Sequence, residues 1–66
     1  MPSTPYDAKG LMLSAILDNN PVLVFEHRWL MKKDGIVPEG FYRAPLGKGI
    51  YRRRGKDVTI VGASHA

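Results

Sequence analysis

Residues 2–30 read PSTPYDAKGLMLSAILDNNPVLVFEHRWL, and this stretch decides the fold. Thr4 is a good N-cap, because its hydroxyl can accept from the free N–H groups of a first helical turn. Pro5 then takes the first helical position, where its missing N–H costs nothing. Asp7 lies three residues after Thr4, which makes an approximate capping box at the positive end of the helix dipole. These signals predict a helix over residues 4–19.

One face of this helix is apolar and is followed by a strand-like run. The apolar residues recur at i, i+3, i+4, i+7 and i+8, and they are Ala8, Leu11, Met12, Ala15 and Ile16. Polar residues 18–20 and Pro21 end the helix, since short polar side chains favour turns and proline disfavours helical geometry in the residue before it. The run VLVF at residues 22–25 is typical of a strand covered on both faces, as in a parallel α/β sheet. We expect residues 26–31 to continue this strand in polar and aromatic form.

The remainder of the chain predicts two further short strands. Residues 31–45 carry turn-prone breaks and no sustained period, so we interpret them as a connecting segment. Residues 47–54 and the run VTIV at 58–61 are predicted strands, with a turn at 54–57 between them. The fold class is therefore α/β. Because a βαβ unit needs both its strands, we expect the sequence to be the middle of a larger α/β protein.

Composition excludes several classes of protein. The chain has 66 residues, 44% of them hydrophobic, which is near the lower limit for a self-sufficient core. The absence of cysteine excludes a disulfide framework and a thiolate metal site, and it fits a cytoplasmic location. The apolar runs are too short to span a membrane, and we see no secretory signal. The net charge of +4 concerns solubility and non-specific association rather than fold.

Five sequence blocks occur together across essentially the whole chain: PSTPYDAKGL (2–11), DNNPV (18–22), FEH (25–27), YRAPLGK (42–48) and GKDVTIV (55–61). In order and approximate spacing they resemble the beta subunits of the thiamine-diphosphate-dependent 2-oxo acid dehydrogenases, of pyruvate and branched-chain type, and the related acetoin enzymes. The resemblance implies an internal fragment. Residues 1–30 would end a transketolase-like pyrimidine-binding domain, 31–46 would be a linker, and 47–66 would start a transketolase C-terminal-like domain.

The resemblance also implies a function for the parent protein. That function is oxidative decarboxylation of a 2-oxo acid on thiamine diphosphate, with acyl transfer to a lipoyl group. The implied partners are an alpha subunit that binds the diphosphate and magnesium, a second beta subunit and a lipoyl acyltransferase core. The glutamate that activates the cofactor falls outside these residues. We therefore expect no catalytic and no cofactor-binding residue in this chain, and no activity from the chain alone.

A structural potassium ion is a further implication, and the resemblance carries its ligands to Ala15, Ile16, Asp18 and Asn20. The chemistry is reasonable, because the last carbonyls of a helix lack intrahelical partners and hard cations prefer clustered oxygens. From the residues alone, Asp18 and Asn20 can equally be a helix cap and a turn. Both interpretations stay open at this point.

Other chemical interpretations are weaker. Residues 47–49, Gly-Lys-Gly, lack the spacing of a phosphate loop. Glu26 and His27 could form an acid–base pair, but neighbours on a strand point to opposite faces, so we expect a structural role for His27. His65 has no visible partner in the sequence, and we expect it to be exposed. We expect Trp29 and Phe25 to fill a core or a subunit interface.

Two alternative functions remain on sequence grounds. One is a small basic binding module, in which residues 52–56 and Tyr51 contact nucleic acid and binding weakens with salt. Alternation along a strand would place Arg53 opposite its two arginine neighbours, which weakens a single basic patch. The other is a docking-only remnant that binds a partner subunit and catalyses nothing.

Overall fold

A computed structural model describes all 66 residues and contains one α-helix, α1 (Pro5–Leu17), and one 3-10 helix (Arg28–Lys32). The predicted start of α1 is confirmed: Thr4 is the N-cap, and its hydroxyl accepts from the backbone N–H of Asp7 at 3.2 Å. The helix ends two residues before the predicted position. Asp18 leaves helical geometry (φ −75°, ψ 141°) and turns its N–H onto the carbonyl of Ala15 at 3.3 Å.

The 3-10 helix lies where the sequence predicted a continued strand. His27 caps it, because its side chain accepts from the backbone N–H of Trp29 at 3.2 Å. The backbone N–H of Leu30 also donates to the carbonyl of His27 at 3.0 Å. This local capping closes a turn without any partner strand, so the expectation of an extended continuation through residue 31 is wrong.

The three predicted strands, at residues 22–25, 47–54 and 58–61, are absent. None of these segments makes a backbone–backbone hydrogen bond, either with one another or with the rest of the chain. A β-strand is defined by a ladder to a neighbouring strand, and the two faces of the VLVF and VTIV runs also require cover. This chain supplies neither, so the α/β expectation fails for the isolated residues.

The chain has almost no core. Its three buried residues are Pro2, Gly10 and Ser14, and no hydrophobic side chain is buried. The apolar face predicted for α1 is present in the sequence but is not buried, since Ala8, Met12 and Ile16 are exposed. The accessible surface is 6246 Å², whereas a folded chain of this mass typically exposes about 4,200 Å². The radius of gyration of 13.0 Å also exceeds the roughly 11 Å expected of a compact chain this long.

What α1 does bury is a small-residue face, which is covered by residues 38–44, here called the strap. The backbone N–H of Ala44 donates to the carbonyl of Gly10 at 3.1 Å, and Ser14 Oγ donates to the carbonyl of Ala44 at 2.5 Å. A Cβ added at Gly10 would lie 2.9 Å from the Ala44 Cβ. Glycine at this position therefore allows the strap to approach the helix backbone. Neither helix combines the length and apolar character needed to cross a lipid bilayer.

Candidate functional site

The four residues predicted to bind a cation lie at the C-terminal end of α1. The carbonyl of Ala15 accepts from the backbone N–H of Asp18. Asp18 Oδ1 accepts from both the backbone N–H of Asn20, at 2.8 Å, and its side-chain Nδ2, at 3.1 Å. Asp18 and Asn20 thus form the capping turn that sequence reasoning kept as an alternative to the cation site.

The donor atoms at this end of the helix are of the type that a hard cation prefers. Carbonyl and carboxylate oxygens are the ligands that such cations prefer, and Ile16 adds a carbonyl that accepts no non-helical hydrogen bond. Two of the oxygens already accept hydrogen bonds within the chain, so a bound ion would share them. Elsewhere, no group of three or more histidine, aspartate or glutamate side chains is placed to hold a metal ion.

The strap carries the most organised side-chain cluster of the chain. The ring of Tyr42 stacks on the ring of Tyr6, with centroids 4.6 Å apart and an interplanar angle of 21°. The Tyr42 hydroxyl donates to the carbonyl of Tyr6 at 2.7 Å. Lys9 Nζ lies 5.1 Å from the centre of the Tyr42 ring and donates to the carbonyl of Pro38 at 2.7 Å. Desolvation raises the pKa of the Tyr42 phenol above its ordinary value, and electrostatic interactions with Tyr6 and Asp7 raise it further.

An ion pair joins the N-terminal end of α1 to Arg52, the first of three consecutive arginines. Arg52 donates to the carboxylate of Asp7 and, at 3.2 Å, to the hydroxyl of Ser3. Ser3 Oγ in turn donates to Asp7 Oδ2 at 3.1 Å. Sequence reasoning missed this ion pair, since it considered Arg52 only as part of a basic surface for nucleic acid. The only local signal was the carboxylate of Asp7 at the start of the helix.

Aromatic side chains gather around the 3-10 helix. His27 and His65 stack with ring centroids 4.5 Å apart, and Trp29 meets both rings edge-on at 5.5 and 5.2 Å. His65 is exposed, as predicted, but it does have a partner, which the sequence did not indicate. Trp29 and Phe25 are exposed as well, so they fill no core in this chain, and the alternative that they lie at a subunit interface stays a prediction.

A shallow groove of about 260 Å³ separates the start of α1 from the 3-10 helix. Its polar wall includes Thr4, Glu26 and His27, but Thr4 caps α1 and the His27 Nδ1 accepts from Trp29. Glu26 makes no hydrogen bond to His27. The groove therefore contains no nucleophile–base or acid–base pair, which agrees with the structural role predicted for His27.

Two of the basic residues in segment 52–56 are engaged by other side chains of the chain. Arg52 is paired with Asp7, and the guanidinium of Arg54 covers the Tyr51 ring at 4.7 Å from its centre. A single-strand binding surface would instead leave aromatic rings open for base stacking beside free cations. The geometry therefore gives no support to the basic-module alternative.

Sequence comparison gives the chain clear relatives, although no family model and no solved structure matches it. The beta subunits of acetoin:2,6-dichlorophenolindophenol oxidoreductase from Bacillus subtilis and Cupriavidus necator are 53% and 55% identical over 60 residues. The beta subunit of the pyruvate dehydrogenase E1 component from Porphyra purpurea is 54% identical over 59 residues. These matches cover 89–91% of this chain and 18% of each relative, so the chain spans about a fifth of their length.

The relatives also include the beta subunit of 2-oxoisovalerate dehydrogenase from Bacillus subtilis, 48% identical over 62 residues. Pyruvate, acetoin and branched-chain types are thus all represented, as the five sequence blocks predicted. The resemblance is confirmed: over about nine-tenths of its length, this chain is homologous to one segment of the beta subunits of 2-oxo acid dehydrogenases and acetoin oxidoreductases.

Proposed function

We propose that this sequence serves as one segment of the beta subunit of a 2-oxo acid dehydrogenase component. The parent reaction would be oxidative decarboxylation of a 2-oxo acid, with acyl transfer to a lipoyl group. The observation that carries the proposal is the identity of 53–55% over 59–60 residues to acetoin and pyruvate enzymes. The same identity to enzymes of different substrates leaves the 2-oxo acid itself open.

We propose further that the 66 residues alone have no activity. The groove beside α1 lacks an acid–base pair. The chain also has no buried hydrophobic core that could form an enclosed substrate pocket. Thiamine diphosphate would supply the carbanion chemistry in the whole component, and magnesium would enter with the alpha subunit. No residue of this chain is assigned to either group.

The domain division is part of the proposal. Residues 1–30 would end a pyrimidine-binding domain, 31–46 would be the linker, and 47–66 would begin the C-terminal domain. The distribution of helices supports this division, since α1 and most of the 3-10 helix fall in the first range and no helix falls in the third. The strap lies within the proposed linker, so its contacts with Gly10 and Ser14 would fasten the linker to the first domain.

The proposed partners are an alpha subunit, a second beta subunit and a lipoyl acyltransferase core. Large exposed side chains such as Trp29, Phe25 and Tyr51 support contact with other polypeptide surfaces, because aromatic residues are enriched at the core of protein interfaces. We propose a cytoplasmic location, while noting that one relative is the mitochondrial 2-oxoisovalerate dehydrogenase beta subunit of Dictyostelium discoideum, 47% identical over 64 residues.

We also propose a potassium ion at the end of α1, held by oxygens of Ala15, Ile16, Asp18 and Asn20. The ion would stabilise the negative end of the helix dipole and hold the turn that follows. Asp18→Ala in a beta subunit carrying these residues should remove any stabilisation by potassium over sodium, measured as a thermal midpoint. Asn19→Ala is the matched control, since Asn19 is an exposed neighbour that makes no side-chain hydrogen bond. An equal potassium effect in the Asp18 variant would refute the site.

A segment exchange tests the main proposal. The matched 60 residues of the Bacillus subtilis acetoin enzyme's beta subunit are replaced by those of this chain, and the hybrid is produced with its alpha subunit. We expect an assembled hybrid that reduces 2,6-dichlorophenolindophenol with acetoin, whereas the 66-residue chain alone should not. An assembled but inactive hybrid would contradict the proposal, and so would turnover by the isolated chain with added cofactor, magnesium and substrate.

A further inference from the structure

The carboxylate of Asp7, in the first turn of α1, joins two distant parts of the sequence. Its Oδ2 accepts from Ser3 Oγ at 3.1 Å and from the guanidinium of Arg52, which lies 45 residues further along the chain. Arg52 Nη2 also donates to Ser3 Oγ at 3.2 Å, so the three side chains contact one another in a triangle. The Asp7 side chain is 17% exposed and that of Arg52 is 51% exposed. The carboxylate is thus the more enclosed partner of the pair.

This carboxylate does not serve the helix cap. In a complete capping box it would accept from the backbone N–H of Thr4, while the Thr4 hydroxyl accepts from the backbone N–H of Asp7. Only the second of these bonds is present, at 3.2 Å. The Asp7 carboxylate turns to Ser3 and Arg52 instead. Its hydrogen bonds therefore report a long-range contact and not local capping.

The strap brings Arg52 within reach of the helix. Ala44, near the end of the strap, is fixed on α1 by its bonds with Gly10 and Ser14. Because Arg52 follows soon after Ala44, its pairing with Asp7 closes a short loop between two points on the same helix. A short loop costs less closure entropy than a long one. The docked strap therefore favours the ion pair.

The pairing is specific to one of three consecutive arginines. The guanidinium of Arg54 lies over the Tyr51 ring, 4.7 Å from its centre, and Arg53 has no side-chain hydrogen bond or ion pair. A guanidinium carries several N–H donors in one plane, so Arg52 can reach a carboxylate and a hydroxyl together. Arg53 is thus a matched control of the same residue type at the next position.

We propose that Arg52 and the Ser3–Asp7 pair form a latch, which holds the start of the C-terminal domain against the first turn of α1 in the whole beta subunit. This inference rests on the proposed domain division, in which Asp7 belongs to the first domain and Arg52 to the second. The strap and the latch together keep the end of the linker and the residues after it on one helix. The two domains therefore keep one relative orientation.

Carbodiimide cross-linking of the hybrid beta subunit, produced with its alpha subunit, tests the latch. A carbodiimide activates a carboxylate, which then forms an amide with an amine in ion-pair contact. Arg52→Lys supplies such an amine beside Asp7, and Arg53→Lys supplies one at the neighbouring position. After digestion and mass spectrometry, we expect an amide between Asp7 and position 52 in the first hybrid. We expect none between Asp7 and position 53 in the second.

A double-mutant cycle in the same hybrid needs no added amine. Asp7→Asn keeps the N-cap, because that bond uses the backbone N–H of Asp7, and Arg52→Gln removes the guanidinium. The thermal midpoint of the double variant should fall by less than the sum of the two single shifts, since either change alone breaks the pair. The shifts of Asp7→Asn and Arg53→Gln should instead be additive.

Three results would overturn the latch. They are an assembled hybrid with no cross-link from position 52, equal cross-linking from positions 52 and 53, and additive shifts for Asp7→Asn and Arg52→Gln. The cross-link is read from the beta subunit itself, so it is scored whether or not the hybrid turns over acetoin. The proposed function fails separately, through an assembled but inactive hybrid without these substitutions.

Discussion

Replacing Gly10 by alanine should release the strap from α1. The new Cβ would lie 2.9 Å from both the Ala44 Cβ and the Tyr42 ring, and 3.0 Å from the Ala44 nitrogen. These distances are too short, and one of the obstacles is backbone, so the strap must move away. Alanine would favour the helix by about 1 kcal/mol, and for an isolated helix the change would be stabilising.

The expected cost of undocking exceeds this gain. Moving Ala44 away breaks its bond to the Gly10 carbonyl and the bond from Ser14, at about 1 kcal/mol each. It also separates the stacked rings of Tyr6 and Tyr42, which contribute about 1 kcal/mol. The sum is about 3 kcal/mol against about 1 kcal/mol, which leaves a net loss of about 2 kcal/mol in strap docking.

Hydrogen exchange of the Ala44 amide measures this loss directly, because that N–H is bonded to the Gly10 carbonyl in the docked strap. A loss of about 2 kcal/mol should speed its exchange about thirtyfold. Gly49→Ala is the matched control, since an added Cβ there meets nothing within 4 Å. If Ala44 exchanged as slowly in the Gly10 variant as in the wild-type chain, the close approach of strap and helix would be wrong.

Three further perturbations address other contacts of the chain. Thr4→Ala removes the N-cap bond to the Asp7 N–H and should lower the helix content seen by circular dichroism, at a cost of about 1 kcal/mol; unchanged helicity would contradict the cap. Because the pKa of Tyr42 is raised in the folded chain, docking of the strap should be complete below about pH 10 and weaken above it. The Ala44 methyl resonance should report this loss of docking, and Tyr42→Phe should abolish the pH dependence. Arg52→Ala removes a half-exposed ion pair, so it should lower stability by less than about 1 kcal/mol, and its effect should disappear near about 1 M salt; a salt-independent loss would argue against the pair with Asp7.

The start of α1 was predictable because every group that fixes it is local. Thr4, Pro5 and Asp7 lie within four residues, and a cap needs only a hydroxyl, a fixed φ and a nearby N–H. The similarity to the beta subunits was predictable for a related reason. It depended on the order of several short blocks and not on their folding, so the missing strands did not affect it.

The buried face of α1 was not predictable in the same way. Hydrophobic periodicity favoured the face with Leu11, Met12 and Ile16, yet the strap selects the face with Gly10 and Ser14. That choice depends on contacts between residues about 30 positions apart. Periodicity within a helix reports which side chains prefer cover, but the cover itself must be supplied by some other segment.

The predicted strands fail for the same reason. Residues 58–61 have a strand sequence but no partner within the chain, so the isolated chain and the whole subunit must satisfy the same backbone groups in different ways. In the hybrid beta subunit, those groups should pair with backbone groups of the same subunit. Ile60→Pro should therefore impair folding of the hybrid, while Ile36→Pro should leave it assembled, as judged by co-purification with the alpha subunit. An Ile60→Pro hybrid that assembled as well as the Ile36→Pro hybrid would show that residues 58–61 are not a paired strand of the subunit.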